Sequence, residues 1–176
     1  MNDECSLSLW IDLYGQKLLR LAFAYTQNKQ LAEDSVQEAL LRAYRSKREI
    51  NDQSKIFSWL ARIVINECKR NMKKSIRRVI DGEHWISDSV ESAETSYFRM
   101  ATQQIVHQAV MTLPNKYKIP IILYYFEDIS LAEISNVIGR PMGTVKSRLG
   151  RGREQLQKLL VKEDENIGYR RTNTVR

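Results

Sequence analysis

The chain has 176 residues, 43% of them hydrophobic, with 7 Gly and 3 Pro, a composition that suits one ordinary domain or two small helical ones and excludes disorder throughout. A formal net charge of +7 points to nucleic acid, an anionic membrane surface or an acidic partner. No apolar run reaches about eighteen residues, and the opening MNDECSLSLW has acids where a secretory leader is basic, so a cytoplasmic location is expected.

Apolar residues at Leu9, Leu13, Leu18, Leu21, Ala22 and Tyr25 predict a first helix from Leu7 to Thr26. Cys5 and Cys68 lie far apart, and both are expected as free thiols in a reducing compartment. Asn28 can cap a second helix whose buried stripe is Leu31, Ala32, Val36, Ala39, Leu40, Ala43 and Tyr44 and which ends near Ser46. Glu33, Asp34, Gln37, Glu38 and Arg42 fall on its other side. Asp34, Gln37 and Glu38 alone form a polar patch that, read as lacking a basic neighbour, suits a protein contact better than DNA, and simple solvation is the plainer account. Residues 50–54 read as a loop.

A third helix is expected from Lys55 to Arg78, with Phe57, Trp59, Leu60, Ile63, Val64 and Cys68 on its apolar side and Lys69, Arg70, Lys73, Lys74, Arg77 and Arg78 loading its second half. Core packing accounts for Phe57 or Trp59 alone. At i and i+2, however, one face cannot bury both equally, so at least one ring is expected near the surface of the loop-helix junction. An exposed ring beside a polar loop and a basic helix suits base stacking on single-stranded nucleic acid. A solvated, dipole-favoured helix end is the alternative for the cations.

Charge is segregated. Residues 51–80 carry eight basic and two acidic residues, 81–100 carry one and five, and 139–160 carry six and one. The acidic, Ser-rich SDSVESAETS reads as a flexible linker between two basic blocks. Beyond it, Ile122, Leu123 and Phe126 are expected to pack beneath a helix pair, with Pro120 tolerable only near a helix start. Ser130 and Glu133 form a capping box ahead of Leu131, Ile134 and Ile138. Gly139 marks a helix stop, Pro141 and Gly143 shape a turn, and Thr144 can cap the next helix. That helix has a stripe of Val145, Leu149, Gly152, Leu156, Leu159 and Leu160, with Lys146, Ser147, Arg151, Glu154 and Lys158 opposite and Arg148 at the border. An amphipathic helix explains the stripe alone. The short helix, glycine turn and basic second helix together predict a DNA-binding helix-turn-helix.

The fold class expected is therefore all-α: two small helical domains joined by a flexible linker, the C-terminal one a helix-turn-helix. No phosphate-binding loop, zinc spacing or nucleophile elbow is present, and His84 and His107 lack ligand-spaced partners, so no catalytic, cofactor or metal site is expected.

QLAEDSVQEALLRAY, FSWLARIVINECKR and LPNKYKIPIILYYFEDISLAEISNVIGRPMGTVKSRLGRGREQL, in this order, resemble the extracytoplasmic-function sigma factors of the sigma-70 family over roughly residues 8–160. The resemblance implies an N-terminal domain over 1–78, a linker over 79–102, a C-terminal domain over 103–163 and a tail over 164–176. It implies RNA polymerase core as partner, through the clamp helices of its largest subunit and residues Glu33, Asp34, Gln37 and Glu38. Minus-10 promoter DNA is implied at Asn51, Asp52, Gln53, Ser54, Lys55, Phe57, Trp59, Arg62, Asn66, Lys69, Arg70 and Lys73, with a flipped-base pocket at 51–55. Minus-35 DNA is implied at Thr144, Lys146, Ser147, Arg148 and Arg151. An anti-sigma factor, often membrane-bound, is a further implied partner, in a stress response. Many relatives have an acid where Arg70 stands. A helix-turn-helix regulator that is no polymerase subunit is the alternative; it has no use for the N-terminal basic-aromatic helix.

Overall fold

The computed structural model describes residues 3–46, 52, 55–80 and 99–173, and among these every regular element is a helix. The expected loop residues Asn51, Gln53 and Ser54 and most of the expected linker, including His84, lie outside the described residues.

Helix α1 spans Asp3–Thr26, four residues longer at its start than expected. Trp10, Leu18, Leu21 and Ala22 are buried, whereas Leu9 and Leu13, expected on that stripe, are 51% and 56% exposed. The phase is set by Trp10 and Tyr14, and a residue one position earlier points about 100° away. Helix α2 spans Lys29–Arg45, with Asn28 Oδ1 accepting from the Leu31 amide at 2.9 Å and Ser46 as C-cap, as the sequence predicts. Its buried side is Ala32, Ser35, Val36, Ala39, Leu40 and Ala43.

Helix α3 spans Ile56–Ile80 and lays Leu60, Ala61, Val64, Ile65 and Cys68 against α1 and α2. Cys68 is a free thiol, and burial pushes its pKa up to about 11. Glu67 is also buried. Its carboxylate meets Arg42 at 3.0 Å and also Arg70, which offsets a desolvation that raises its pKa.

Helix α4 spans Arg99–Thr112 and α5 spans Asn115–Ile121, after which residues Ile122–Phe126 form a π-helical turn. Pro120 sits well inside α5 rather than near its start, so the Lys116 carbonyl has no i+4 amide to accept from. The wider turn follows at once, with the Glu127 amide reaching the Ile122 carbonyl at 3.2 Å. Its i→i+5 winding shifts the phase. Leu123 is buried as expected, Ile122 is half-buried, and Phe126 is 55% exposed instead of packing beneath the pair.

Helix α6 spans Leu131–Ile138 and carries both halves of the Ser130–Glu133 capping box; Gly139 ends it in the left-handed region at φ 65°. Helix α7 spans Met142–Asn173, so the expected tail is helical up to that residue. It starts directly after Pro141, whose carbonyl accepts from the Thr144 and Val145 amides. Thr144 therefore lies in the first turn and is not the cap. Val145, Leu149 and Gly152 are buried, as the stripe predicts. At Gly152 a Cβ would lie 2.6 Å from Ile121 Cδ1, so the glycine lets α7 approach α5 closely.

The two halves pack on each other, α1 against α5 and α3 against α6. Of the last carbonyls of α1, Phe23's accepts from the Gln27 amide, while those of Ala24 and Tyr25 are taken by groups from the other half. Lys118 Nζ donates to the Ala24 carbonyl at 3.1 Å and Asn115 Nδ2 to the Tyr25 carbonyl at 2.7 Å. In the other direction, Gln27 Nε2 donates to the Met111 carbonyl at 2.7 Å. Ser58 Oγ donates to Glu133 Oε1 at 3.3 Å, and Glu127 lies 3.1 Å from Lys17 and 3.7 Å from Arg20.

Candidate nucleic-acid interface

Helix α3 carries Arg62, Asn66, Lys69 and Lys73 at i, i+4, i+7 and i+11, and all four are exposed along one edge. Lys55 is exposed and pairs with Asp52 at 3.0 Å, which raises its pKa. Arg70 departs from this edge. It turns to α2, where it meets Glu38 Oε2 at 2.7 Å and Glu67, so two carboxylates hold the guanidinium. Its hydrogen bond keeps the Glu38 carboxyl below the usual range.

Phe57 and Trp59 are both half-buried, because α1 crosses over both. Trp59 meets Trp10 edge-on with centroids 5.9 Å apart, and Phe57 meets Tyr14 at 5.6 Å with Lys17 Nζ 5.5 Å from its own centroid. Neither ring stands free at the junction as expected; each keeps only part of its surface for a ligand.

On α2, Gln37 is exposed, while Glu33, Asp34 and Glu38 are half-buried. Gln30 Nε2 donates to Asp34 Oδ1 at 3.2 Å. The patch does have basic neighbours, contrary to expectation. Arg70 binds Glu38, and Lys74 lines the same α2–α3 groove as Asp34, Gln37 and Glu38. Leu41, 53% exposed, is an apolar member of this groove that the helical stripe did not single out. A leucine adjoining a polar stripe is the signal that was available.

On α7, Lys146, Ser147 and Arg151 are exposed, Thr144 and Arg148 half-buried, so the split between apolar stripe and polar face follows the sequence. Ser147 Oγ donates to the Thr144 carbonyl at 3.0 Å, which ties the hydroxyl to the helix. Beside this face the Tyr117 phenol has its pKa lowered by hydrogen bonds from Lys116 and, more weakly, Arg151.

The α3 edge does not face open solvent throughout. Arg62, Asn66 and Lys69 line a cleft whose far wall includes Lys116, Arg140 and Arg148. Burial, followed by repulsion from Arg140, Arg148 and Lys73, lowers the Lys69 pKa. Lys116 and Arg140 are cleft residues missed in the sequence, because neither belongs to a periodic stripe.

Two known sequence families match the chain. The one described as Sigma-70 region 2 matches residues 10–78, and the one described as Sigma-70, region 4 matches residues 103–156. The chain is 32% identical over 171 residues to the RNA polymerase sigma-H factor of Pseudomonas aeruginosa, covering 90% of this chain and 88% of that one. It is 33% identical over 171 residues to the ECF RNA polymerase sigma factor SigW of Bacillus subtilis, covering 90% and 91%. Among solved structures, the sigma factor RpoE in complex with the anti-sigma factor NepR from Bartonella quintana superposes with a TM-score of 0.73 at 27% identity, over 88% of this chain and 96% of that one. CnrH in complex with the cytosolic domain of CnrY gives a TM-score of 0.62 at 19% identity over 90% of each chain, a likeness of fold alone.

Proposed function

The chain belongs to the extracytoplasmic-function sigma factors of the sigma-70 family, and from that premise we propose how its two halves divide the start of transcription. It is an RNA polymerase sigma factor, binding core polymerase and directing promoter recognition. The alternative of a lone helix-turn-helix regulator leaves the region 2 match over residues 10–78 without a role. It supplies no reaction of its own and works in the cytoplasm, in a stress response, under an anti-sigma factor; no described helix is long and apolar enough to cross a membrane.

In this reading Glu33, Asp34, Gln37 and Glu38 dock on the clamp helices of the largest polymerase subunit. The α3 edge of Arg62, Asn66, Lys69 and Lys73, with the loop at 51–55, reads and opens the minus-10 element. Phe57 and Trp59 brace α3 against α1 and offer their uncovered edges to the unpaired strand. Arg70 serves the α2–α3 contact. On α7, Thr144, Lys146, Ser147, Arg148 and Arg151 meet the minus-35 element. The observation that carries the reading is a pair of exposed cationic helix edges, each opposite a buried stripe, in two units with separate family matches.

The test is transcription in vitro with purified core polymerase, mapping start sites that depend on this chain. Asp34→Ala with Gln37→Ala is expected to weaken core binding by about tenfold while leaving the helical circular-dichroism signal unchanged. Wild-type affinity in the folded double variant would remove α2 from the polymerase contact. Absence of any new start site would remove the sigma assignment itself.

A further inference from the structure

The cleft between α3 and the C-terminal half gathers Arg62 and Lys69 from α3, Lys116 from α5, Arg140 from the helix-turn-helix turn and Arg148 from α7, with no carboxylate among its lining residues. We propose that this cleft is a binding site for a short phosphate chain, which bridges the two halves and holds them together.

Three observations carry the proposal. The volume of about 420 Å³ falls within the roughly 300–1,000 Å³ of small-ligand sites, so a compact anion fits where a duplex does not. Three of the five cations are arginines, whose planar forks match phosphate oxygens two at a time, and the exposed Asn66 adds a neutral donor. The charges come from both halves, so closing them drives like charges together. That repulsion is felt at Lys69, whose proton is loosened by burial and then by Arg140 and Arg148. An anion spanning both walls removes the repulsion, and neither wall offers the full set alone. At Glu67 the chain sets its own carboxylate against Arg42 and Arg70; in the cleft, whose cations are exposed apart from the half-buried Arg148, that role is left to a ligand.

Binding itself does not rest on the promoter reading. Only its consequence does, because Arg62, Lys69 and Arg148 are then withdrawn from DNA. The experiment is calorimetric titration of the full chain with tripolyphosphate at fixed ionic strength. One ion per chain is expected. Lys116→Gln and Arg140→Gln, neither placed on a promoter-reading edge, are each expected to weaken binding by about tenfold or more. Lys158→Gln removes the same charge from a residue outside the cleft, and wild-type affinity is expected there. Thermal melts of all three establish that each is folded. Fluorescent labels on α3 and α7 are expected to report a larger closed fraction with the anion present. Several weakly held ions per chain, equal loss in Lys158→Gln, or unchanged affinity in both cleft variants would overturn the site. Loss of start-site selection in the transcription assay, with this binding intact, would instead fault the promoter reading.

Discussion

At the scale of single residues, Lys118 stands out because its ammonium rests on a backbone carbonyl while the residue is 2% exposed. Removing a lone cation from water costs several kcal/mol, and a hydrogen bond to a charged group recovers about 1.5–3 kcal/mol. The C-terminal end of α1 adds a favourable dipole. Burial dominates the proton equilibrium and lowers the Lys118 pKa below 10.5. Between that lowered value and 10.5 the unfolded chain holds more protons than the folded one, so this residue makes stability rise with pH. The penalty is fully present below the folded value and gone above 10.5. Tyr25, whose pKa burial raises, acts in the opposite sense above its ordinary value, and a wild-type-minus-variant difference cancels it. In urea unfolding at a series of pH values, the wild type is expected to gain on Lys118→Met as pH climbs towards 10.5. A flat difference would mean that the ammonium is not desolvated. Nothing in the sequence marks this lysine. Periodicity separates stripes from faces, and a cation within the apolar run YKIPII breaks the pattern without saying where its head goes.

Among elements, three caps were legible because each is a local bargain between neighbours in sequence: Asn28 with Leu31, Ser130 with Glu133, Gly139 with its left-handed turn; the cap expected at Thr144 was not, because the helix already starts after Pro141. Phase was less legible. Phe126 left the core because the turn at Ile122–Phe126 winds with five-residue closure, and Leu9 and Leu13 because Trp10 and Tyr14 fix how α1 faces α3. The helix-turn-helix carried its stripe faithfully, including a glycine where a side chain would collide. At Gly152 two effects oppose each other. Alanine gains about 1 kcal/mol of helix propensity, against about 1–3 kcal/mol for overpacking a filled site. Ile121 is 1% exposed and Tyr117 Cβ is also 3.4 Å from the added carbon, so the terminal methyl has little room to swing away. Gly152→Ala is therefore expected to lower unfolding stability by about 1 kcal/mol, read as a lower Tm. A higher Tm would show that α7 can lift off α5 without loss. The candidate site divides along the same line: the α7 face and the α3 edge follow from helical spacing, whereas the turn of Arg70 towards Glu38 depends on α2 and is beyond any single-helix reading.

For the whole molecule, the arrangement of halves was not legible at all, since it is fixed by pairs such as Gln27 with Met111 and Asn115 with Tyr25, 84 and 90 positions apart. In this arrangement Arg62, Asn66 and Lys69 look across the cleft at Arg148, so on the proposed promoter reading the halves are expected to part before both edges engage DNA. Gln27→Ala with Asn115→Ala removes two of the cross-half hydrogen bonds while sparing the apolar stripes. The double variant is expected to open, with a longer label separation between α3 and α7 and tighter promoter-fragment binding by the free chain. An unchanged separation would mean that the apolar contacts suffice to keep the halves together. Parting the halves also bares the end of α1, where the Ala24 and Tyr25 carbonyls lose Lys118 and Asn115 and take up solvent instead. Opening is in that respect a hydration event: water molecules enter as the two halves leave one another. Solutes excluded from protein surfaces, such as sucrose, press against it. On the proposed reading, the fraction of this sigma factor ready for DNA is expected to fall as water activity falls, through two peptide groups that touch neither polymerase nor promoter, and promoter-fragment binding measured across a sucrose series checks it.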